Sequence, residues 1–177
     1  MKRIIQLFVF TLLVNNGNAQ IDTTALKSIE GITNKMIELI SGDIGEERNW
    51  DEYRNLFLPT AQKISIGKTR NGQTRARTMN LEEFVRNVGP LYARDGFEEY
   101  AIGLTVNEYN GIANVFQSYY CKNLLGTYEK RGVNSYQLVF MEDRWWIANT
   151  VFTEESDEIP LPDKFLFKEY RSESKKE

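Results

Sequence analysis

The chain has 177 residues, with 22 Lys and Arg against 25 Asp and Glu, for a net charge of −3. That length suits one domain with a real core, and the mild acidity gives no electrostatic reason to expect nucleic acid binding. With no histidine and one cysteine, the chain excludes Ser-His-Asp and Cys-His catalysis, a histidine base, histidine-ligated zinc and an internal disulfide.

In chain order, Lys2 and Arg3 precede an apolar run from Ile4 to Val14, and Gly17 and Ala19 then supply small side chains. This pattern predicts a secretory signal peptide over residues 1–19, cut to leave Gln20 first. The run is shorter than the roughly 20 residues that span a bilayer, and no cysteine follows it to carry a lipid. The protein is therefore expected to be exported, periplasmic or secreted, and soluble without membrane association after cleavage. Losing Lys2 and Arg3 leaves 20 basic residues against 25 acidic ones, a net charge of −5.

Apolar residues at helical spacing predict a helix from Thr24 to Ser41, begun by Asp22 or Thr23 and ended by Gly42. A second, short helix is expected over Asn49–Phe57, stopped by Pro59. Ala61–Lys68 alternates and reads as a strand with Ile64 and Ile66 on one side. Gly67–Asn80 is polar and basic, with a turn signal at Asn71-Gly72, and reads as a loop or hairpin. Asn80 and Glu83 form a capping-box pair ahead of a third helix whose buried side carries Leu81, Phe84, Val85, Val88 and Leu91. Four strands follow. Phe97–Tyr109 and Ile112–Asn123 flank Asn110-Gly111, and Arg131–Met141 and Arg144–Thr153 flank Glu142-Asp143, so two tight hairpins are predicted. Pro160 and Pro162 exclude a central strand there. Phe165, Leu166, Phe167 and Tyr170 are expected to pack back as a short segment, and the tail beyond Tyr170 has no apolar residue to hold it in place. Helices early and strands late predict an α+β fold, a curved antiparallel sheet with helices on one face.

Certain words within this order carry a resemblance. They are Trp50, Phe57-Leu58-Pro59-Thr60-Ala61, Gly132-Val133-Asn134-Ser135-Tyr136-Gln137-Leu138 and Asp143-Arg144-Trp145-Trp146-Ile147-Ala148-Asn149. With them the chain resembles an exported bacterial member of the nuclear transport factor 2-like superfamily, which includes ketosteroid isomerase-like and polyketide cyclase-like (SnoaL-like) proteins. The resemblance implies a cone-shaped sheet closed by N-terminal helices on its concave face, around a pocket. The expected organisation is a signal peptide over 1–19, the domain over 22–155, and a C-terminal extension over 156–177 with a disordered tail.

The two turns set a register, which sorts the strand faces. Counting back from Asn110-Gly111 pairs Ile102 with Tyr119 and Tyr100 with Cys121. Counting from Glu142-Asp143 pairs Tyr136 with Asn149 and Asn134 with Val151. The inner face then presents Tyr100, Gln117, Tyr119, Tyr136 and Asn149, five neutral hydrogen-bonding groups able to orient an apolar ligand that carries one or two polar atoms. They are the expected ligand-binding residues, unless they satisfy one another in a closed core. The outer face presents Phe116, Tyr120, Trp146 and Phe152, which the resemblance suggests as a homodimer interface; the alternative is that the C-terminal segment covers them. Cys121 is expected to be a small buried hydrophobe.

No carboxylate is expected inside. Glu108 falls on the rim, Asp51 and Glu52 serve the start of the second helix, and Gln62–Lys68 has no acid where ketosteroid isomerase-like enzymes place their base. Lys63, Lys68, Arg70, Arg75 and Arg77, with Gly67 and Gly72, form either an anion- or glycan-binding segment or a solvated hairpin. No cofactor and no metal site is implied, and no catalytic residue can be assigned. The leading expectation is an exported domain that binds a small apolar ligand or a protein without catalysis. The alternatives are a SnoaL-like isomerase, dehydratase or cyclase acting on a small apolar substrate, and a structural dimerising domain. A carboxylate with a raised pKa inside the pocket would favour the enzyme.

Overall fold

The structure is a computed structural model that describes residues 23–171. The expected signal peptide lies outside them, as does the tail beyond Arg171. A short 3-10 turn at Ala25–Lys27 leads into α1 (Ile29–Ile40). The helix starts later than the spacing suggests because Ser28, not Asp22 or Thr23, caps it, accepting from the Gly31 amide at 3.0 Å. It ends at Ser41 rather than Gly42, and Gly42 pairs with Phe97 in an isolated bridge. Helix α2 (Trp50–Arg54) is capped by Asn49, and the chain turns extended before Pro59 is reached.

Strand β1 (Phe57–Lys68) and strand β2 (Thr74–Asn80) form a hairpin, so the basic segment is a hairpin and not a loop. Helix α3 (Leu81–Asp95) follows directly. Asn80 Oδ1 accepts from the Glu83 amide at 2.8 Å while the Glu83 carboxylate accepts from the Asn80 amide at 3.0 Å, completing the capping box. Asn80→Ala is expected to lower stability by about 1 kcal/mol in urea unfolding, since it leaves one of these amides without an acceptor.

The remaining strands are β3 (Glu98–Tyr109), β4 (Ile112–Lys122), β5 (Glu129–Met141) and β6 (Arg144–Glu154). Both predicted tight turns form: Asn110 and Gly111 have φ of 46° and 79°, and Glu142 and Asp143 have φ of 54° and 59°, the signature of type I′ hairpins. The six strands make one curved, open sheet in the order β2-β1-β6-β5-β4-β3. All neighbours are antiparallel except β1 and β6, whose parallel pairing joins the N-terminal hairpin to the strand meander. Helix α1 packs on β3 and β6, and α3 on β1 and β2. Between helices and sheet lie Ile32, Met36, Tyr53, Val115, Leu138 and Ile147, each almost wholly buried.

Two bulges decide which side chains enter this space. On β3 the register shifts between Ala101 and Gly103, so Ala101, not Ile102, faces Tyr119, and Glu99, not Tyr100, faces Cys121. On β6 it shifts past Ala148, so Tyr136 faces Thr150 and Asn134 faces Phe152. An extra residue in a strand sends every side chain beyond it to the other face. The expected faces are therefore corrected: Tyr100, Asn149 and Val151 turn outward, and Glu99, Thr150 and Phe152 turn inward.

The C-terminal segment does pack back. Leu166 is buried, the Phe167 amide donates to the Ile102 carbonyl at 2.8 Å, and Phe165 lies 5.4 Å from Phe116, ring to ring. The segment thus runs along the outer side of β3, where Gly103 leaves room for it. Among the described residues, no helix is long and apolar enough to cross a membrane.

A candidate active-site cavity with a buried carboxylate and lysine

A cavity of about 390 Å³ opens between α1, α3 and the inner sheet face. Met36 and Ile40 of α1 form one wall, and Phe84 and Tyr92 of α3 another. The sheet supplies Lys63 from β1, Glu99 from β3, Tyr119 and Cys121 from β4, Asn134 from β5 and Phe152 from β6. Most of this surface is carbon, ringed at the mouth by Arg94, Asp95 and Glu154. Gly132 of β5 makes the interior arrangement possible. A Cβ there would sit about 2.4 Å from the Tyr119 hydroxyl, whose ring crosses over this position.

Lys63 is 3% exposed. Strand alternation places it on the inner side with Ala61, while Gln62 and Ile64 face out. Its ammonium donates to Tyr53 Oη at 2.9 Å and lies 4.3 Å from the Phe84 ring centre. The rings of Tyr53, Phe57 and Phe152 are 5.5, 5.5 and 5.8 Å away. Aromatic faces attract a cation, but they replace little of the hydration that it loses. Burial accordingly lowers the Lys63 pKa to about 8, with the charge of Glu99 opposing the shift.

Glu99 is 9% exposed. Asn134 Nδ2 donates to its carboxylate at 3.0 Å, and its amide nitrogen donates to Ser41 Oγ at 3.1 Å. Burial raises its pKa to about 7, partly offset by the Lys63 charge and the Asn134 hydrogen bond. The two groups sense each other through the cavity without a direct hydrogen bond. Both titrate near neutrality, where a group can give and take protons with equal ease. Nearby, burial also drives the hydroxyls of Tyr92 and Tyr119 far above the usual tyrosine range, and pushes the Cys121 thiol up to about 12. Tyr92, Tyr119 and Cys121 therefore stay protonated, and Cys121 is no nucleophile.

Arg48 secures the rim from below. Its guanidinium donates to the carbonyls of Ile40 at 3.1 Å, Gly42 at 2.7 Å and Tyr92 at 3.3 Å. These contacts tie the end of α1 to α3, the two helices that form the cavity walls.

No family model matches the chain, and no curated protein matches it by sequence. Solved structures do match in shape. A candidate scytalone dehydratase from Novosphingobium aromaticivorans superposes on 86% of this chain and 98% of its own, with a TM-score of 0.56 and 10% identity. A candidate dehydratase of the nuclear transport factor 2-like family from Streptomyces avermitilis covers 75% of this chain and 97% of its own, at a TM-score of 0.54 and 10% identity. The fold is nuclear transport factor 2-like. A domain of unknown function with a cystatin-like fold from Nostoc punctiforme also matches, over 76% of this chain and 80% of its own, at a TM-score of 0.53 and 16% identity. At such identities the likeness carries the fold and no chemistry.

Within the nuclear transport factor 2-like frame, the five expected ligand residues separate. Tyr119 lines the cavity. Tyr136 donates to Gln117 Oε1 at 3.1 Å, and Gln117 donates to Asn34 Oδ1 at 3.1 Å, so these two satisfy each other in the closed core. Tyr100 and Asn149 lie on the outer face; Asn149 accepts from the Gln62 amide at 3.1 Å, and Tyr100 donates to Glu98 at 2.8 Å. The expected interface aromatics separate too. Phe116 is partly covered by Phe165, Tyr120 stacks with Tyr100, Trp146 carries the Arg144 guanidinium 3.4 Å from its ring centre, and Phe152 has turned inward. Of the basic segment, Arg70, Arg75 and Arg77 are exposed and Lys68 pairs with Glu158 at 2.7 Å, while Lys63 alone points inside. Glu108 is exposed. The carboxylate that composition and alternation left out of the cavity is Glu99, and Gly103, an isolated glycine within a strand pattern, is the sequence signal for the bulge that puts it there.

Proposed function

We propose that the cavity binds a small, mainly apolar molecule bearing one carbonyl group, and that Glu99 moves a proton on the carbon beside that carbonyl. The observation that supports this reading is a buried carboxyl with a pKa of about 7 facing an apolar cavity of about 390 Å³. Glu99 as carboxylate accepts the proton, and Lys63 as ammonium stabilises the oxygen on which negative charge develops. Asn134 orients the carboxylate. This division of labour serves dehydration or double-bond isomerisation equally, since both begin by removing such a proton. Binding without catalysis rested on an interior free of carboxylates, and Glu99 removes that ground.

Exchange of the protons beside the carbonyl of cyclohexenone into D2O, followed by NMR at pH 7.5, tests the reading. Glu99→Gln is expected to slow the exchange by about 100-fold or more, the usual contribution of a positioned base. Equal exchange in both proteins would overturn it. We further propose that the protein acts outside the cytoplasm, on the strength of the charged, apolar and small-residue pattern of residues 1–19. The mass of protein recovered from the host's periplasm or medium should then match a chain that begins at Gln20.

A further inference from the structure

We propose that Lys63 is a covalent carbonyl-capturing residue, which forms an imine with an aldehyde or ketone bound in the cavity. This deepens the acid–base reading above and rests on it, because it narrows the ligand to carbonyl compounds with an unhindered carbonyl carbon.

The geometry supplies the parts such chemistry needs. Lys63 Nζ is fixed by one hydrogen bond to Tyr53 Oη and walled by the rings of Phe84, Phe57 and Phe152. With one N–H committed to Tyr53, the tetrahedral nitrogen of the neutral amine keeps its lone pair for another direction. Among the described residues no carboxylate hydrogen-bonds the amine, so only the more distant charge of Glu99 favours its charged form. Lys122 shows the opposite case: its hydrogen bond to Glu98 raises its pKa. A desolvated amine without an ion-pair partner is how a lysine becomes nucleophilic. Glu99 shares the cavity and can carry the protons.

The step balances without any oxidant or reductant. The Nζ lone pair forms a bond to the carbonyl carbon, and a proton from nitrogen ends on the carbonyl oxygen, giving a carbinolamine. Protonated Glu99 gives its proton to that hydroxyl, the C–O bond breaks, and water leaves. The product is an iminium ion with Glu99 left as carboxylate. The positive nitrogen then acidifies the neighbouring carbon, whose proton Glu99 takes to give an enamine. The stabilising cation of the acid–base reading thus becomes covalently attached to the substrate.

At pH 7 an amine with a pKa of about 8 is neutral about one time in ten, against roughly one in 3,000 for an ordinary lysine. The test is incubation of the full-length mature protein with benzaldehyde and sodium cyanoborohydride at pH 7, then intact-mass and peptide mapping. Benzaldehyde has no proton beside its carbonyl, so its capture is independent of the exchange reaction. A benzyl group at Lys63, besides any on the α-amine, whose pKa is also about 8, formed at least tenfold faster than at any exposed lysine, is the expected result, and Glu99→Gln should slow it about tenfold or more. The mapping is done on the wild-type chain, so it does not depend on whether Lys63→Met folds. Benzyl groups spread over exposed lysines with Lys63 unmodified would overturn the imine. If cyclohexenone exchange still required Glu99 in that case, the acid–base reading would stand alone. Rapid benzylation at Lys63 with no Glu99-dependent exchange would uphold the capture and sink the proton transfer instead.

Discussion

Between pH 5 and pH 7.5 the protein is expected to lose stability, by up to about 3 kcal/mol, and to recover a similar amount between pH 8 and pH 10.5. Glu99 has a pKa of about 7 in the folded chain against 4.5 as the ordinary value. The folded state therefore holds this proton more tightly than the unfolded state does. Its contribution is complete below pH 4.5 and is lost as pH rises through 7. Lys63 runs the other way, with a folded pKa of about 8 against 10.5. Between those values the unfolded chain binds the extra proton, so stability climbs as pH rises. The trough lies at pH 7–8, where the folded protein carries both charges in its interior. For a domain of this size, 3 kcal/mol corresponds to roughly 6–12 °C in melting temperature. Paired surface carboxylates such as Glu158 have lowered pKa values, and they act below this window because their contribution is lost only as pH falls through those values. Thermal melts across the range check the profile. Glu99→Gln should flatten the limb between pH 5 and pH 7.5 and start the alkaline limb at lower pH, because the Glu99 charge holds the Lys63 pKa up. Lys63→Met should remove the alkaline limb and move the Glu99 limb to higher pH, because the Lys63 charge is what holds the Glu99 pKa down to 7. A wild-type profile that is flat from pH 5 to pH 7.5 would show that the carboxyl is not desolvated as the structure has it.

That interior pair shows how far the sequence could be read. The hairpin turns were legible because Asn-Gly at 110–111 and Glu-Asp at 142–143 sit between alternating runs, and φ > 0 is what such turns require. The capping box at Asn80 and Glu83 was legible for a similar local reason. Register is local too, but only as far as the first bulge. From Asn110-Gly111 the count holds through Leu104 and Gln117, then fails by one residue beyond Ile102. From Glu142-Asp143 it holds through Leu138 and Ile147, then fails beyond Ala148. Each failure exchanges neighbours: Glu99, an acid, for the neutral Tyr100, and Thr150 for Asn149. A glycine at 103 and the unbroken apolar run Trp145-Trp146-Ile147-Ala148 were the available signs.

Lys63 was hidden differently. Its strand offers Ile64 and Ile66 as the obvious inward residues, and transfer energies favour them by a wide margin. The cavity wall takes the lysine because Tyr53, Phe57 and Phe84 arrive from separate elements to surround it. No pattern within Ala61–Lys68 encodes that meeting. The same holds for Gln117 and Tyr136, whose inward direction was legible but whose partners, each other and Asn34, were not.

Gly103→Ala is expected to cost about 2–4 kcal/mol and to release the C-terminal segment. A Cβ at this position would fall 1.7 Å from the carbonyl oxygen of Phe165 and 3.0 Å from Leu166 Cα. Both are backbone atoms, so no side-chain rotation relieves the clash. Either β3 or the segment has to move, and the segment is held by less: the Phe167 amide bond to Ile102, the burial of Leu166, and the Phe165–Phe116 contact. β3, by contrast, is paired with β4 along its length. Release would uncover Phe116 and the buried, unpartnered Ser118 hydroxyl beneath it. Urea unfolding reports the cost, and limited proteolysis reports the release as early cleavage after residue 160. A chain ending at Leu161 separates the two sources of strain. If the segment is what the new methyl strikes, Gly103→Ala should cost little in the shortened chain, and the two changes together should fall well short of additive. An equal cost in both backgrounds would instead place the need for glycine in the bulge itself, the feature that sends Glu99 into the cavity.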